Sequence, residues 1–544
     1  MNYIIIGGGI AAVSCTQQLY NILASSVHHE LQYNITILTQ SNVLTYIKHY
    51  TQLTQYLSTY DVNEITSQQL TDDYVQNNTG RNHVHISINV CTVTRIDTHN
   101  ETVYALTHST HNNNNDLAQQ QYKYDKLCIC SGASPDNIFH KYTSPGISKF
   151  IHTIRDTASI TNVLRRVEHS SEICIVGNGG IALELIYLLL QHQLYNDKNS
   201  TNNSIRVIWC IRAGHIGVPF FTASSAKFMI ERLMKLLNDT PIIHNTNDTN
   251  DMPNTPQHAA ATQALYAESS ISGAGAGPNW LYEFTNKQRS YGHAQLYDES
   301  KQQYDDTSND TIQLNTNCQL IIESNNEVID LNEASHNTLR VQLHKNKSYN
   351  VDILISATGV HSNTQFVPDT INKSISDDII VTPHMCSNIS NIYSAGDCVD
   401  CSGWELTGNY SHWYHVKLWS HAFHMGIIAA KSMCDDISEY STTFMLFTHL
   451  TTFFGLKVVL LGQYNILEHT DNHDQYYEYT KCDIEHSLYI NVVLCSRRHN
   501  IIGCTLIGNN DLEEIYENVL ISETDMSQFG DFVNNDVDLE AYFD

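Results

Sequence analysis

The chain has 544 residues, with 29 basic against 57 acidic side chains and a formal net charge of −28. That length exceeds a single core, and about three domains of ordinary size are expected. An excess of acid without clustered Lys and Arg argues against nucleic acid as a direct partner and against docking on anionic lipid. In chain order, residues 3–6 read as a short apolar strand, Gly7-Gly8-Gly9 as a turn and 11–24 as a helix. A second strand is expected at 35–38, a polar Asn-rich insertion around 112–115, and a strand at 126–130 closed by Ser131-Gly132-Ala133-Ser134-Pro135. The pattern then repeats: strand 172–176, turn at Gly177, helix through Leu190, a polar stretch at 196–204, and strand 206–211.

From 239 to 310 the pattern dissolves into Asn, Thr, Ala, Gly and Asp, which predicts a long mobile insertion. Periodicity returns at Leu320, with strands at 351–357 and 392–395, the latter ending in Gly396-Asp397. Residues 415–433 read as an amphipathic helix. Strands at 457–461, 488–494 and 501–506, a helix at 511–521 and an acidic, partly extended end at 526–544 complete the chain. No apolar run reaches bilayer length, so no membrane partner is expected. The first strand starts at Tyr3, leaving no room ahead of it for a leader; a cytosolic or nuclear location is expected. Fourteen cysteines are scattered, several within apolar runs (Cys91, Cys174, Cys210, Cys495), as suits buried thiols in a reducing compartment.

The two glycine turns, 170 residues apart, carry the functional reading. Glycine lets the backbone approach a pyrophosphate closely, and the following helix aims its amides and positive dipole end at the phosphates. No basic side chain is needed, so an acidic chain can still hold a dinucleotide. Two such turns, each between strand and helix, predict two dinucleotides and hydride transfer from a nicotinamide to a flavin. An acid usually grips the adenosine ribose about 20 residues on. The first unit instead ends in Leu38-Thr39-Gln40-Ser41, so Thr39 or Ser41 must substitute. The second ends in Cys210-Ile211-Arg212, and an Arg in place of an acid favours NADPH over NADH.

The ordered set of the first turn, "YDKLCICSGASP", "CIVGNGGIALEL", "DILISATGVHSN" and "NIYSAGDC" resembles the two-dinucleotide-binding flavoprotein superfamily that includes glutathione reductase, NADH oxidases and rubredoxin reductases. The tail, with "KVVLLGQYN", "IGNNDLEEIYENVLI" and "AYFD", narrows the match to the pyridine nucleotide-disulphide oxidoreductase domain-containing protein 1 family. The resemblance implies an α/β fold with two doubly wound, three-layer Rossmann-like domains and a carboxyl-terminal α+β domain. An FAD domain would span 1–155 and 352–437, an NAD(P) domain 156–351, and the α+β domain 438–544. It assigns Gly7, Gly9 and Ala12 to the FAD pyrophosphate, Ser131, Gly132 and Ala133 to the crossover, and Asp397 to the ribityl and pyrophosphate region. Gly177, Gly179 and Ala182 would hold the nicotinamide dinucleotide, and Thr358 and Gly359 would mark the return crossover. Glu184 would face the flavin near the nicotinamide and pair with a lysine, for which Lys48 is the nearest basic residue in the segment after the second strand.

Disulphide reductases of this superfamily carry a cysteine pair on the helix after the second strand, yet residues 41–60 contain no cysteine. A dithiol relay of that kind has no thiol to begin with. Cys398-Val399-Asp400-Cys401 offers the one CxxC spacing and a candidate redox pair. His412, His415, His421 and His424 fall at i, i+3 spacing, but no acidic or thiolate cluster completes a set unless Cys401 joins, and no metal is expected. The helix over 415–433 would instead aim its amino-terminal end at the flavin's pyrimidine edge, with Trp419 and Gly426 as packing positions. The expected activity is FAD-dependent NAD(P)H oxidation with electrons leaving to a quinone, oxygen or an oxidised protein thiol, and the resemblance implies a role in oxidative-stress response. The alternatives are a nucleotide-bound redox sensor or protector of a client protein with low turnover, and a scaffold that has lost its flavin. The oligomeric state stays open.

Overall fold

The computed structural model describes residues 1–25, 31–76, 83–108, 117–196, 205–239, 311–315, 318–334, 337–404, 412–436, 444–468, 473–535 and 537–543. The Asn-rich stretch expected at 112–115 lies outside them, as does nearly all of 196–204 and 239–310. The chain divides into two compact units, Met1–Ser134 with Val360–Phe447, and Pro135–Gly359 with Thr448–Asp544.

In the first unit a five-stranded sheet runs in the order Ile392–Ser394, Lys126–Ile129, Asn2–Ile6, Tyr33–Thr39, Val84–Val90. Every neighbouring pair is parallel. The central strands read as unbroken apolar runs because both faces are covered, and Ile4, Ile5, Leu127, Cys128 and Ile129 are all buried. The helix Ile10–Ala24 lies against Trp419–Met433. Their approach is close: a Cβ on Gly426 would overlap the Ala11 carbonyl oxygen. The second helix starts at Trp419, not 415, because the chain is still extended at Leu418 (φ −118°, ψ 150°).

Where superfamily reductases carry a helix after the second strand, this chain forms a hairpin, Val43–Gln52 paired with Ser58–Thr66. Its β-branched and aromatic content suits a half-buried strand. Leu44 packs with Val13, Ile37 and Leu70 beneath it.

The second unit holds a six-stranded sheet ordered Ile151–Thr153, Ile353–Ser356, Glu172–Val176, Ile205–Cys210, Cys318–Glu323, Thr311–Asn315, of which the last strand alone is antiparallel. Cys174, Val176, Ile208, Cys210 and Leu354 bury one face of it against Leu339, Val341 and Leu343 of a three-stranded antiparallel layer. The same unit contains an antiparallel sheet ordered Thr448–Phe453, Leu456–Gly462, Ile501–Ile507, Leu488–Cys495, Tyr476–Asp483, with the helix Glu513–Ile521. The expected fold class, Rossmann-like α/β with an α+β carboxyl-terminal sheet, is the fold observed. The acidic end is more ordered than its composition suggests. Phe532, Val533 and Leu539 are buried, and Phe532 meets Tyr479 edge-on at 5.6 Å.

Candidate active site

Each glycine turn joins a buried parallel strand to a helix. Gly7 takes φ +130° and Gly177 φ +138°, conformations that L side chains rarely adopt. A Cβ on either would overlap a carbonyl oxygen, of Cys130 for Gly7 and of Ala357 for Gly177. These two glycines therefore set the turn. Gly9 and Gly179 serve differently, since none of the described residues lies within 4 Å of a Cβ built on either. Open space there, beside the first free amides of a helix, is the cradle a pyrophosphate requires. Ala12 and Ala182 are fully buried, each in the first turn of its helix.

Around the first turn, Thr39 is buried with its hydroxyl 3.2 Å from the Ser41 carbonyl, and a Cβ on Gly8 would sit 2.5 Å from that hydroxyl. Thr39 thus shapes the underside of the turn, while Ser41 is the exposed hydroxyl. Ser131, Gly132 and Ala133 are fixed by the last residue of the "DILISATGVHSN" motif, to which the sequence assigns no role. Asn363 donates from Nδ2 to the Ser131 carbonyl (3.0 Å), its backbone N–H bonds Gly132 (3.0 Å), and its Oδ1 accepts from the Ser134 hydroxyl (2.7 Å).

Asp397 follows Gly396 (φ +85°) beyond the last parallel strand, partly exposed. Burial pushes its carboxyl up to about 6, against the opposing pull of Lys417. Lys417 was also missed. Its ammonium pairs with Asp378 at 3.1 Å and donates to Ser362 Oγ at 3.0 Å, and that hydroxyl lies 3.0 Å from the Asp397 carbonyl. No local motif announces Lys417, because its partners are 39 and 55 residues away.

The candidate thiols Cys398 and Cys401 are both buried and free. Burial pushes both upward, Cys401 furthest with the charges of Asp400 and Asp378 added. That is opposite to the lowered value a reactive thiol needs. Lys48 is exposed on the hairpin, in register with Asp61. Among the described residues no group of three or more His, Cys, Asp and Glu is placed to hold a metal.

In the second unit, Asn178 within the glycine turn braces the following loop. Its Nδ2 donates to the His215 carbonyl (2.9 Å) and its Oδ1 accepts from the Gly217 amide (2.6 Å). Arg212 is exposed just past its strand. Thr358 hydrogen-bonds the Asp136 carbonyl at 3.3 Å, and Gly359 takes φ +112°. Glu184 is 6% exposed, one turn into the helix Gly180–Asn196. Among the described residues its Oε2 has no partner, and burial pushes the carboxyl up to about 8. Lys48 belongs to the first unit and Glu184 to the second.

Two open glycine cradles on parallel sheets, with a carboxylate beyond the last strand of one, define a two-dinucleotide oxidoreductase. The chain belongs to the pyridine nucleotide-disulphide oxidoreductase family, whose model matches residues 1–280 and 298–426. It is similar along its whole length to proteins named pyridine nucleotide-disulfide oxidoreductase domain-containing protein 1. The one from Dictyostelium discoideum is 29% identical over 612 residues, covering 99% of each chain. The one from Homo sapiens is 28% identical over 557 residues, covering 100% of this chain and 98% of that protein. Among solved structures, a water-forming NADH oxidase from Lactobacillus brevis bound to NADH superposes with a TM-score of 0.58. It shares 13% identity, covering 96% of this chain and 90% of that one. The membership expected from the motifs is borne out.

Proposed function

We propose that the protein is an FAD-dependent NAD(P)H oxidoreductase that delivers electrons to an external acceptor, not to a dithiol of its own. The observation that carries this reading is the pair of open cradles at Gly9 and Gly179, together with a cysteine-free hairpin where the superfamily's dithiol would stand. Bound FAD would accept two electrons from the nicotinamide and release them to the acceptor. The chain's own residues do the positioning. The first helical amides after Gly9 and Gly179 would hold the two pyrophosphates, and Asp397, held near ionisation by Lys417, would accept from ribityl hydroxyls. Arg212, exposed at the strand end, would meet a 2′-phosphate and favour NADPH. Glu184, neutral through burial, would present a hydrogen-bond donor instead of a charge near the nicotinamide.

Overall, NAD(P)H, a proton and a two-electron acceptor give NAD(P)⁺ and the reduced acceptor. A role in oxidative-stress response follows if that acceptor is a quinone, oxygen or an oxidised protein thiol. Stopped-flow mixing with NADPH under nitrogen, followed by quinone or air, tests this. Flavin bleaching and rapid return of absorbance with acceptor are expected; a bleached state that persists in both would favour the second reading, a sensor or protector of a client protein.

A further inference from the structure

The carboxyl-terminal sheet reaches the nicotinamide turn within the second unit. The strand Thr448–Phe453 alternates its side chains, placing His449, Thr451 and Phe453 on one face. Phe453 meets Phe220 at 5.0 Å between ring centres, and His449 meets the same ring at 5.8 Å. Phe220 and Phe453 cover Gly180, the first residue of the helix: a Cβ there would lie 3.4 Å from the Phe220 ring and 3.8 Å from that of Phe453. Glu184 stands one turn further along the same helix face. Three polar atoms on this helix and this strand face have no hydrogen-bond partner among the described residues: Glu184 Oε2, His449 Nε2 and Thr451 Oγ1, on side chains 6%, 3% and 0% exposed.

Buried polar atoms are ordinarily hydrogen-bonded, and three exceptions on the helix and the strand that meet at the Phe220–Phe453 pair, beside a dinucleotide turn, point to a ligand that supplies the partners. A nicotinamide carboxamide, with one acceptor oxygen and an amide nitrogen bearing two hydrogens, suits them. We propose that His449 is a binding residue for the nicotinamide carboxamide, so that the carboxyl-terminal sheet forms one wall of the nicotinamide site. This rests on reading the turn at 177–180 as the nicotinamide dinucleotide cradle. Burial holds the His449 ring well below its ordinary value, at about 4, so at neutral pH it is uncharged and Nε2 serves as donor or acceptor according to tautomer.

The test uses the full-length protein with FAD bound and measures equilibrium binding of three probes. These are NADP⁺, its 3-acetylpyridine analogue, which lacks the amide nitrogen, and 2′-phospho-ADP-ribose, which lacks the whole ring. Wild type should prefer NADP⁺ to the acetylpyridine analogue by about tenfold, the effect of one hydrogen bond made in a buried site. His449→Phe keeps the ring packing on Phe220 and should abolish that preference while leaving 2′-phospho-ADP-ribose affinity unchanged. His449→Gln, which can place an amide near Nε2, should restore part of it. Full preference in His449→Phe overturns the proposal, as does an equal loss for all three probes, which would mark a packing role. Should His449→Phe fail to fold, equal wild-type affinity for NADP⁺ and its acetylpyridine analogue overturns it alone. No binding of 2′-phospho-ADP-ribose or NADP⁺ by wild type defeats the cradle reading itself, and the proposal with it.

Discussion

Replacing Glu184 by Gln isolates what burial does to this carboxyl. Among the described residues the group has no partner for Oε2, and burial raises it from 4.5 to about 8. A carboxyl raised by folding subtracts stability, and the sign fixes the window. Below 4.5 the group is neutral in both states and costs nothing. As pH rises past that value the unfolded chain ionises while the folded chain still holds its proton, and the penalty grows until pH passes about 8. At about 1.4 kcal/mol per tenfold change, the full penalty is roughly 5 kcal/mol, with about 3 kcal/mol present at pH 7. Gln keeps the shape without the charge, so its advantage over Glu should widen by about 3 kcal/mol between pH 5 and pH 8. Thermal unfolding of both ligand-free proteins at the two pH values reads this, because every other titrating group cancels between them. The variant's gain in Tm should be several degrees larger at pH 8. A gain equal at both pH values would mean that Glu184 is solvated or paired, and the burial argument would fall.

Gly426→Ala drives a methyl group into the Ala11 carbonyl and should cost about 1–3 kcal/mol, read as a lowered Tm; an unchanged Tm would contradict the close helix approach. Asn363→Ala removes two side-chain hydrogen bonds that hold residues 131–134, an expected loss of about 2 kcal/mol in denaturant unfolding. Lys417→Met removes the cation beside Asp397, whose carboxyl should then rise further above about 6. FAD should dissociate faster at pH 7 and be better retained at pH 8; equal retention at both would refute the role given to the Asp397 charge. Cys398→Ser with Cys401→Ser should leave acceptor turnover unchanged, since both thiols are buried with raised values.

The glycine turns and their flanking strands were legible because the constraint is local: Gly7 and Gly177 must take left-handed φ within a few residues of an apolar run. The hairpin at 43–66 was not, because Val43, Thr45 and Ile47 alternate over too short a span to be distinguished from a loop before their burial is known. Asn363 and Lys417 escaped for a different reason. Each acts on groups tens to hundreds of residues away, so no local spacing assigns a role to Asn363, although it ends a quoted motif, or to Lys417. Likewise, nothing in "THLTTF" signals that His449 would come to rest on Phe220, a contact made only by the tertiary fold. The Cys398–Cys401 spacing was visible in the sequence, but the burial of both thiols was not, since spacing carries no information about burial.

The most direct measurement is the visible spectrum of the purified protein, reconstituted with FAD and titrated anaerobically with NADPH and NADH. The account predicts a yellow protein that bleaches with one equivalent of nucleotide per flavin, at lower concentration for NADPH. A colourless protein that refuses FAD, or a bound flavin that neither nucleotide bleaches, would contradict it.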